Sequence, residues 1–290
     1  MLRWLLRHLP IRHFPISDYY KTRLWSASMP RPHGRAAEWP YHRCVELATR
    51  AFATRTGYAT TFPGAGDPRS SYSMLEFGVA AGASFQLLLH FRDVWLRRLK
   101  LKNRVVALGF DTFEGLPSAR DSDGDDAAPW EEGNFKSNVF EVDQYLRSCG
   151  FSDFRLVKGL FSDTLPQQRE VLRKSPPVFV SIDCDYYSST IDIFDALLPE
   201  VAPHGCMFYF DDVSFDFYSD LTGELKAIAE VNGGRYGKHI QLVHYPLWIE
   251  THEMRHYKQV YRLVNVEKAK AQVPPKGLNL APLRGPISPA

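Results

Sequence analysis

The stretch Pro176–Val213, PPVFVSIDCDYYSSTIDIFDALLPEVAPHGCMFYFDDV, decides the fold. Two apolar, β-rich runs, VFVSI and CMFYF, flank STIDIFDALLPEV, whose apolar residues recur at helical spacing. A strand that is apolar at every position has no face for water, so each run belongs in a sheet covered on both sides by helices. The same alternation extends upstream through YSMLEFGV, ASFQLLLHFRDVWLRRL, RVVALGFD, a helical segment around VFEVDQYLRSCG, FRLVKGL and TLPQQREVLRK. Here the helix is expected to begin near Pro166. The segment Arg35–Tyr58 carries Val45, Leu47, Ala48 and Phe52 at helical spacing and predicts a helix before the first strand. Downstream, a helix near GELKAIAEV precedes two strand candidates, HIQLVHYPLWI and HYKQVYRLVNV. Only a few residues separate these two, too few for a parallel crossover, so the sheet is expected to end in an antiparallel hairpin. The whole reads as a doubly wound α/β domain.

The rest of the chain bounds this reading. Of 290 residues, 44% are hydrophobic and 23% charged, which fits a folded, soluble protein rather than a disordered or fibrous one. The 35 basic residues nearly balance the 33 acidic ones, so no electrostatic nucleic-acid partner is expected. Cys44, Cys149, Cys184 and Cys206 are widely spaced without a CxxC pair, which disfavours a zinc cluster and a disulfide framework. No run approaches the ~18 apolar residues of a membrane span. Arg3, Arg7 and His8 interrupt any signal-peptide core, so a cytoplasmic location is expected. Residues 1–35, interrupted by four prolines, read as an arm that docks on its own domain or on a partner subunit of a homo-oligomer. The domain is placed at 36–268. A Pro/Gly-rich tail, expected to be mobile, occupies 269–290.

The strand ends carry the chemistry, because ligands of open α/β sheets bind at the carboxyl edge. Asp183 and Asp185 follow one strand of the opening stretch, and Asp211 and Asp212 follow the other. Carboxylates converging there repel one another unless protonated or neutralised by a cation. With oxygen ligands and no His or Cys cluster, the expected ion is Mg²⁺, with Mn²⁺ or Ca²⁺ as alternatives. The plainer reading makes Asp183 and Asp185 helix caps and leaves Asp211–Asp212 in a solvated loop.

The first strand runs into LEFGVAAGAS, an ExGxxxG turn with Glu76, Gly78 and Gly82. Glycines there let backbone approach a ligand, and the following helix N-terminus offers free N–H groups. A dinucleotide fingerprint would have glycine where Glu76 stands. An acid at that place repels a pyrophosphate, yet it accepts hydrogen bonds from an ammonium such as that of S-adenosylmethionine. Asp111, about 30 residues past the glycine turn at the end of the second strand, sits where such folds grip ribose hydroxyls. Ser162 and Asp163, after the third strand, are candidates for an adenine edge or for capping the next helix. The acidic loop ARDSDGDDAAPWEEG lacks the glycine register of an EF-hand and is expected to be a solvated lid near the substrate. Tyr187, Phe215 and Tyr218 are candidates for lining an acceptor pocket. The absence of GxSxG and GxxxxGK[ST] sequences removes the common hydrolase and P-loop readings.

Taken in order, LEFGVAAGAS, GFDTFEGLP, WEEGNF, LVKGLFSDTLP, SIDCDYYSST and FDDV resemble the class I S-adenosylmethionine-dependent O-methyltransferases of the macrocin type, which modify sugar hydroxyls in antibiotic pathways. The resemblance runs from about Met74 to Val213. It implies a Rossmann-like, seven-stranded, mostly parallel sheet with an antiparallel last strand and helices on both faces. It also implies a divalent metal held by Asp183, Asp211 and Asp212, with Asp183 as ligand and candidate base in preference to Asp185. Ala80 and Ala81 depart from the bulky and basic residues common at those places in the family.

The expected activity is metal-dependent methylation of a hydroxyl on a small acceptor, a sugar or a comparable molecule of secondary metabolism. Glu76, Gly78, Gly82, Asp111, Ser162 and Asp163 would hold S-adenosylmethionine. Two alternatives stand beside it: a catechol or phenol acceptor, and a catalytically silent S-adenosylmethionine-binding scaffold.

Overall fold

The computed structural model describes residues 38–53, 67–120, 124–125, 130–214, 220–245 and 259–271. The arm 1–35 and all but the first residues of the 269–290 tail lie outside these. The chain runs α1 (Glu38–Ala53), β1 (Ser71–Phe77), α2 (Ala83–Arg98), β2 (Arg104–Asp111), α3 (Val139–Ser148), β3 (Phe154–Lys158), α4 (Phe161–Lys174), β4 (Pro177–Ile182), α5 (Tyr187–Val201) and β5 (Cys206–Phe210). It continues through α6 (Gly223–Gly233), β6 (Ile240–His244), β7 (Val260–Asn265) and α7 (Val266–Ala271). One seven-stranded sheet has the order β3-β2-β1-β4-β5-β7-β6.

Period-two alternation sends successive residues to opposite sheet faces, and both faces are apolar here. In β1, Tyr72 and Met74 join the core that includes Tyr41, Val45 and Phe52 of α1. Leu75 and Phe77 join the other core, beneath Leu165 of α4, Phe194 of α5 and Ile228 of α6. Every residue of β4, Ser181 included, and of β5 is buried, as strands covered on both faces require. The ladders β1–β2, β1–β4, β2–β3 and β4–β5 are parallel. β7 runs antiparallel to both its neighbours, β5 and β6.

Two sequence expectations need correction. β6 and β7 do pair antiparallel, but β6 ends at His244, shortly before Pro246, which has no N–H for a ladder. The connection is therefore longer than a tight hairpin, and its residues 246–258 lie outside the described ones. Helix α4 begins at Phe161, five residues before Pro166, which sits inside it.

A half-buried histidine gives the fold an acid limit. His42 on α1 stacks on Phe91 with centroids 4.3 Å apart, and its Nε2 has no hydrogen-bond partner among the described residues. Burial lowers its pKa from 6.5 to about 4, against the pull of Glu46 and aided by Arg98, His90 and Arg43. The folded form thus resists a proton that the unfolded chain accepts. Stability is full above pH 6.5 and falls as pH drops toward 4, by at most about 3 kcal/mol from this group. In urea titrations, His42→Phe should flatten the loss of stability between pH 6.5 and pH 4.5 relative to the parent. An unchanged slope would contradict this assignment.

Candidate active site

The strand order reverses between β1 and β4, and the tips there are stitched together beyond the strands. Gly78 N donates to Phe110 O at 3.0 Å, Asp183 N to Phe77 O at 2.9 Å and Asp211 N to Ile182 O at 3.0 Å. This is the switch point at which open α/β sheets bind ligands. A cavity of about 660 Å³ opens over it, lined by Gly78–Ala81, Ser84, Asp111, Leu160, Phe161, Asp183 and Asp185 among others.

One half of the cavity is the glycine turn. Gly78 has φ +90°, and a Cβ there would lie 1.6 Å from the Asp183 carbonyl oxygen, so only glycine lets β1 and β4 close at their tips. Ala80 takes the left-handed conformation at φ 44°. Its N–H donates to Asp111 Oδ2 at 2.7 Å, while Phe113 N–H donates to Asp111 Oδ1 at 2.6 Å. Burial raises the Asp111 carboxyl despite these hydrogen bonds. Asp111 therefore braces the turn as well as lining the cavity.

Four of the expected donor residues are not on the cavity wall. Glu76 is fully buried, with Oε2 accepting from Tyr41 Oη at 2.5 Å and Oε1 from Ser84 Oγ at 2.9 Å. Gly82, at φ 85°, is the N-cap of α2 and supplies its entry turn. Ser162 and Asp163 are exposed in the first turn of α4, because the helix starts earlier than its proline suggested. Leu160 and Phe161 take the lining positions instead.

The other half is acidic. Ligand oxygens of Asp183, Asp211 and Asp212 all lie within 4.8 Å of one another. Asp185 adopts φ 61°, its backbone N donating to Asp212 Oδ2 at 3.0 Å. Tyr209 Oη donates to Asp211 Oδ1 at 2.9 Å. Glu224 at the start of α6 accepts from Asp212 N at 3.2 Å, and its other oxygen is buried without a hydrogen-bond partner among the described residues. Burial, then the charges of Asp211 and Asp212, hold the Asp183 carboxyl well above the usual carboxylate range. Burial and then Asp185 and Asp211 do the same to Asp212. Burial and Asp211 push Asp185 up to about 7. Among the described cavity residues Arg120 alone is basic, and it pairs with Asp192 at 3.1 Å. Clustered, desolvated carboxylates such as these match the oxygen donor set that a hard divalent cation requires. The donor set fits such an ion.

The acidic loop is partly built into this site. Asp125 is buried and accepts from Ser188 N, Ser188 Oγ and Arg120 N, each at 2.7 Å, which clasps the loop to the first turn of α5. Trp130 and Phe135 pack edge to face at 5.1 Å and line the cavity. Asp121, Asp123 and Asp126 lie outside the described residues, as do Phe215 and Tyr218. Tyr187 turns its hydroxyl to Glu230 at 2.9 Å and does not line the cavity. Sequence reasoning missed Ser84, Arg120, Asp192 and Glu224. Only Ser84 carried a signal, its place at the start of the helix after the glycine turn.

A family model described as Macrocin-O-methyltransferase (TylF) matches residues 72–228, more than half of the chain. Among solved structures, the chain resembles CalS11, a calicheamicin methyltransferase, at 18% identity and TM-score 0.55, covering 87% of this chain and 93% of that one. It resembles the O-methyltransferase NovP at 18% identity and TM-score 0.50, covering 78% and 79% respectively. At these identities the two structures establish a shared fold. No curated protein sequence matches the chain. No described helix is long and apolar enough to cross a membrane.

Proposed function

The chain belongs to the macrocin O-methyltransferase family and is an O-methyltransferase; from that premise we propose that it methylates a hydroxyl of a sugar-like acceptor with S-adenosylmethionine and a divalent cation. The observation that carries this reading is the junction, in one cavity, of the glycine turn with the Asp183–Asp211–Asp212 cluster. CalS11 and NovP, methyltransferases of the same fold, support the transfer chemistry. An acidic cluster kept whole beside the donor turn favours catalysis over a silent scaffold, since repelling carboxylates without a cation are costly.

Asp183, Asp211 and Asp212 would hold the cation, Mg²⁺ first, which when bound supplies Lewis-acid charge stabilisation at the acceptor oxygen. Asp111 and the Gly78–Ala81 turn would hold the donor beside the acidic cluster, supplying the proximity and orientation that methyl transfer needs. Asp183 takes the hydroxyl proton in the reading that follows the family. A second reading gives that role to Asp185, favoured by its position on the cavity wall outside the three grouped ligands. Asp185→Asn separates the two: lost turnover with cation binding intact would assign the base to Asp185. Trp130 and Phe135 offer apolar faces to the body of an acceptor, and Arg120 and Asp192 offer hydrogen bonds to its hydroxyls.

The test is incubation of the purified protein with S-adenosylmethionine and a panel of hydroxylated sugars, glycosides and catechols, with Mg²⁺ and then with chelator. The expected product is a sugar or glycoside that gains one methyl group only when the cation is present. Methylation that persists undiminished in chelator would remove the metal from this account. Asp111→Asn should weaken donor binding by roughly tenfold to a hundredfold, the worth of a hydrogen bond to a charged group, as read by calorimetry. Equal affinity would remove Asp111 from the donor site.

A further inference from the structure

Tyr41 stands on α1, outside the segment 72–228 that matches the family, yet it reaches the back of the donor turn. Its ring is wedged edge-on between Phe179, at 5.4 Å, and Tyr209, at 4.9 Å. Its hydroxyl donates to Glu76 Oε2 at 2.5 Å, and Ser181 lies beside Glu76 across the β1–β4 ladder. Glu76 is fully buried, so it touches nothing in the cavity itself. Its Oε1 takes the hydrogen bond of Ser84 Oγ at 2.9 Å, and Ser84 does line the cavity.

Proton bookkeeping fixes what this arrangement shows a ligand. A serine hydroxyl has one proton and two lone pairs. The Ser84 proton is committed inward to Glu76, so only lone pairs face the cavity. Such a group accepts from an N–H donor and offers nothing to a carboxylate. Resting on the donor reading above, we propose that Tyr41 is a positioning residue for the ammonium end of S-adenosylmethionine, acting through Glu76 and Ser84. Tyr41 fixes one oxygen of Glu76, Glu76 thereby fixes the Ser84 hydroxyl as an acceptor, and Ser84 meets the ammonium. Without the Tyr41 hydroxyl, the buried carboxylate loses a donor and re-aims to recover one, which releases Ser84. Helix α1 is in this way part of the donor site rather than only a cover for the sheet.

The experiment compares two probes by calorimetry: S-adenosylhomocysteine, and 5′-methylthioadenosine, which lacks the amino-acid end. Tyr41→Phe should bind S-adenosylhomocysteine about tenfold more weakly. Its affinity for methylthioadenosine should stay within about twofold, a split that general loosening of the fold would not produce. Ser84→Ala should show the same selective loss, and adding Tyr41→Phe to it should cost nothing further, because the effect runs through Ser84. Should Tyr41→Phe not fold, Ser84→Ala alone decides, and unchanged affinity for S-adenosylhomocysteine in it overturns the proposal. Unchanged binding by Tyr41→Phe, or equal losses for both probes, also overturns it. Failure of the unsubstituted protein to bind S-adenosylhomocysteine would instead reject the donor reading, and the relay with it.

Discussion

Replacing Asp211 with asparagine is expected to cut turnover at least about a thousandfold, which is roughly 4 kcal/mol of transition-state stabilisation. Donor affinity should change little, because Asp211 belongs to the acidic half of the cavity and not to the glycine turn. The same substitution should leave the cation-free protein as stable as the parent or more stable. Asp211 raises the carboxyls of Asp183, Asp185 and Asp212 through its charge, and asparagine removes that repulsion while its own carbonyl can still accept from Tyr209. Opposite signs for activity and stability distinguish lost chemistry from lost folding. Added Mg²⁺ should raise the melting temperature of the parent by linkage and have little effect on the variant. Turnover equal to that of the parent would end the metal role of Asp211.

Gly78→Ala is expected to be the most damaging single methyl addition in the described chain, destabilising it by at least about 4 kcal/mol or preventing folding. Two costs coincide there. The residue sits at φ +90°, which strains any side chain, and the new Cβ would fall 1.6 Å from the Asp183 carbonyl oxygen. That oxygen is backbone and cannot swing aside without parting β1 from β4. Gly133→Ala is the matched control: its φ is +83°, but nothing lies within 4 Å of the added Cβ. Strain alone should cost it about 1–2 kcal/mol. Denaturant titration of both variants separates clash from strain, and a Gly78→Ala protein within 1 kcal/mol of the parent would refute the tight closure of the two strands.

The strands were legible because parallel strands buried on both faces must be apolar throughout. CMFYF meets that demand and PVFVSI misses it by one serine, while SYSMLEF, with Ser71, Ser73 and Glu76, was legible from its place in the alternation of strands and helices. Acids directly after such runs were legible as site residues for the same reason, since the end of a buried strand leaves only one edge for them. The start of α4 was not, because Leu160 is an N-cap without a side-chain hydrogen bond and Pro166 falsely suggested a first turn. Glu76 was expected at the donor's ammonium, and its burial behind the cavity wall was not legible. Its position follows from the packing of α1 on β4 and β5, which brings Tyr41 to it across 35 residues of sequence, and no local pattern encodes that. Glu224 was invisible because a glutamate opening a helix ordinarily faces water. Here residues 212–214 pack against α6, and this one is buried.

Calorimetric titration of S-adenosylmethionine into the purified protein, with and without Mg²⁺, tests the central claim most directly. Saturable one-to-one binding in both conditions is the predicted result, with the Asp211→Asn variant retaining it. Absence of binding to the folded protein, whether or not Mg²⁺ is present, would contradict the account.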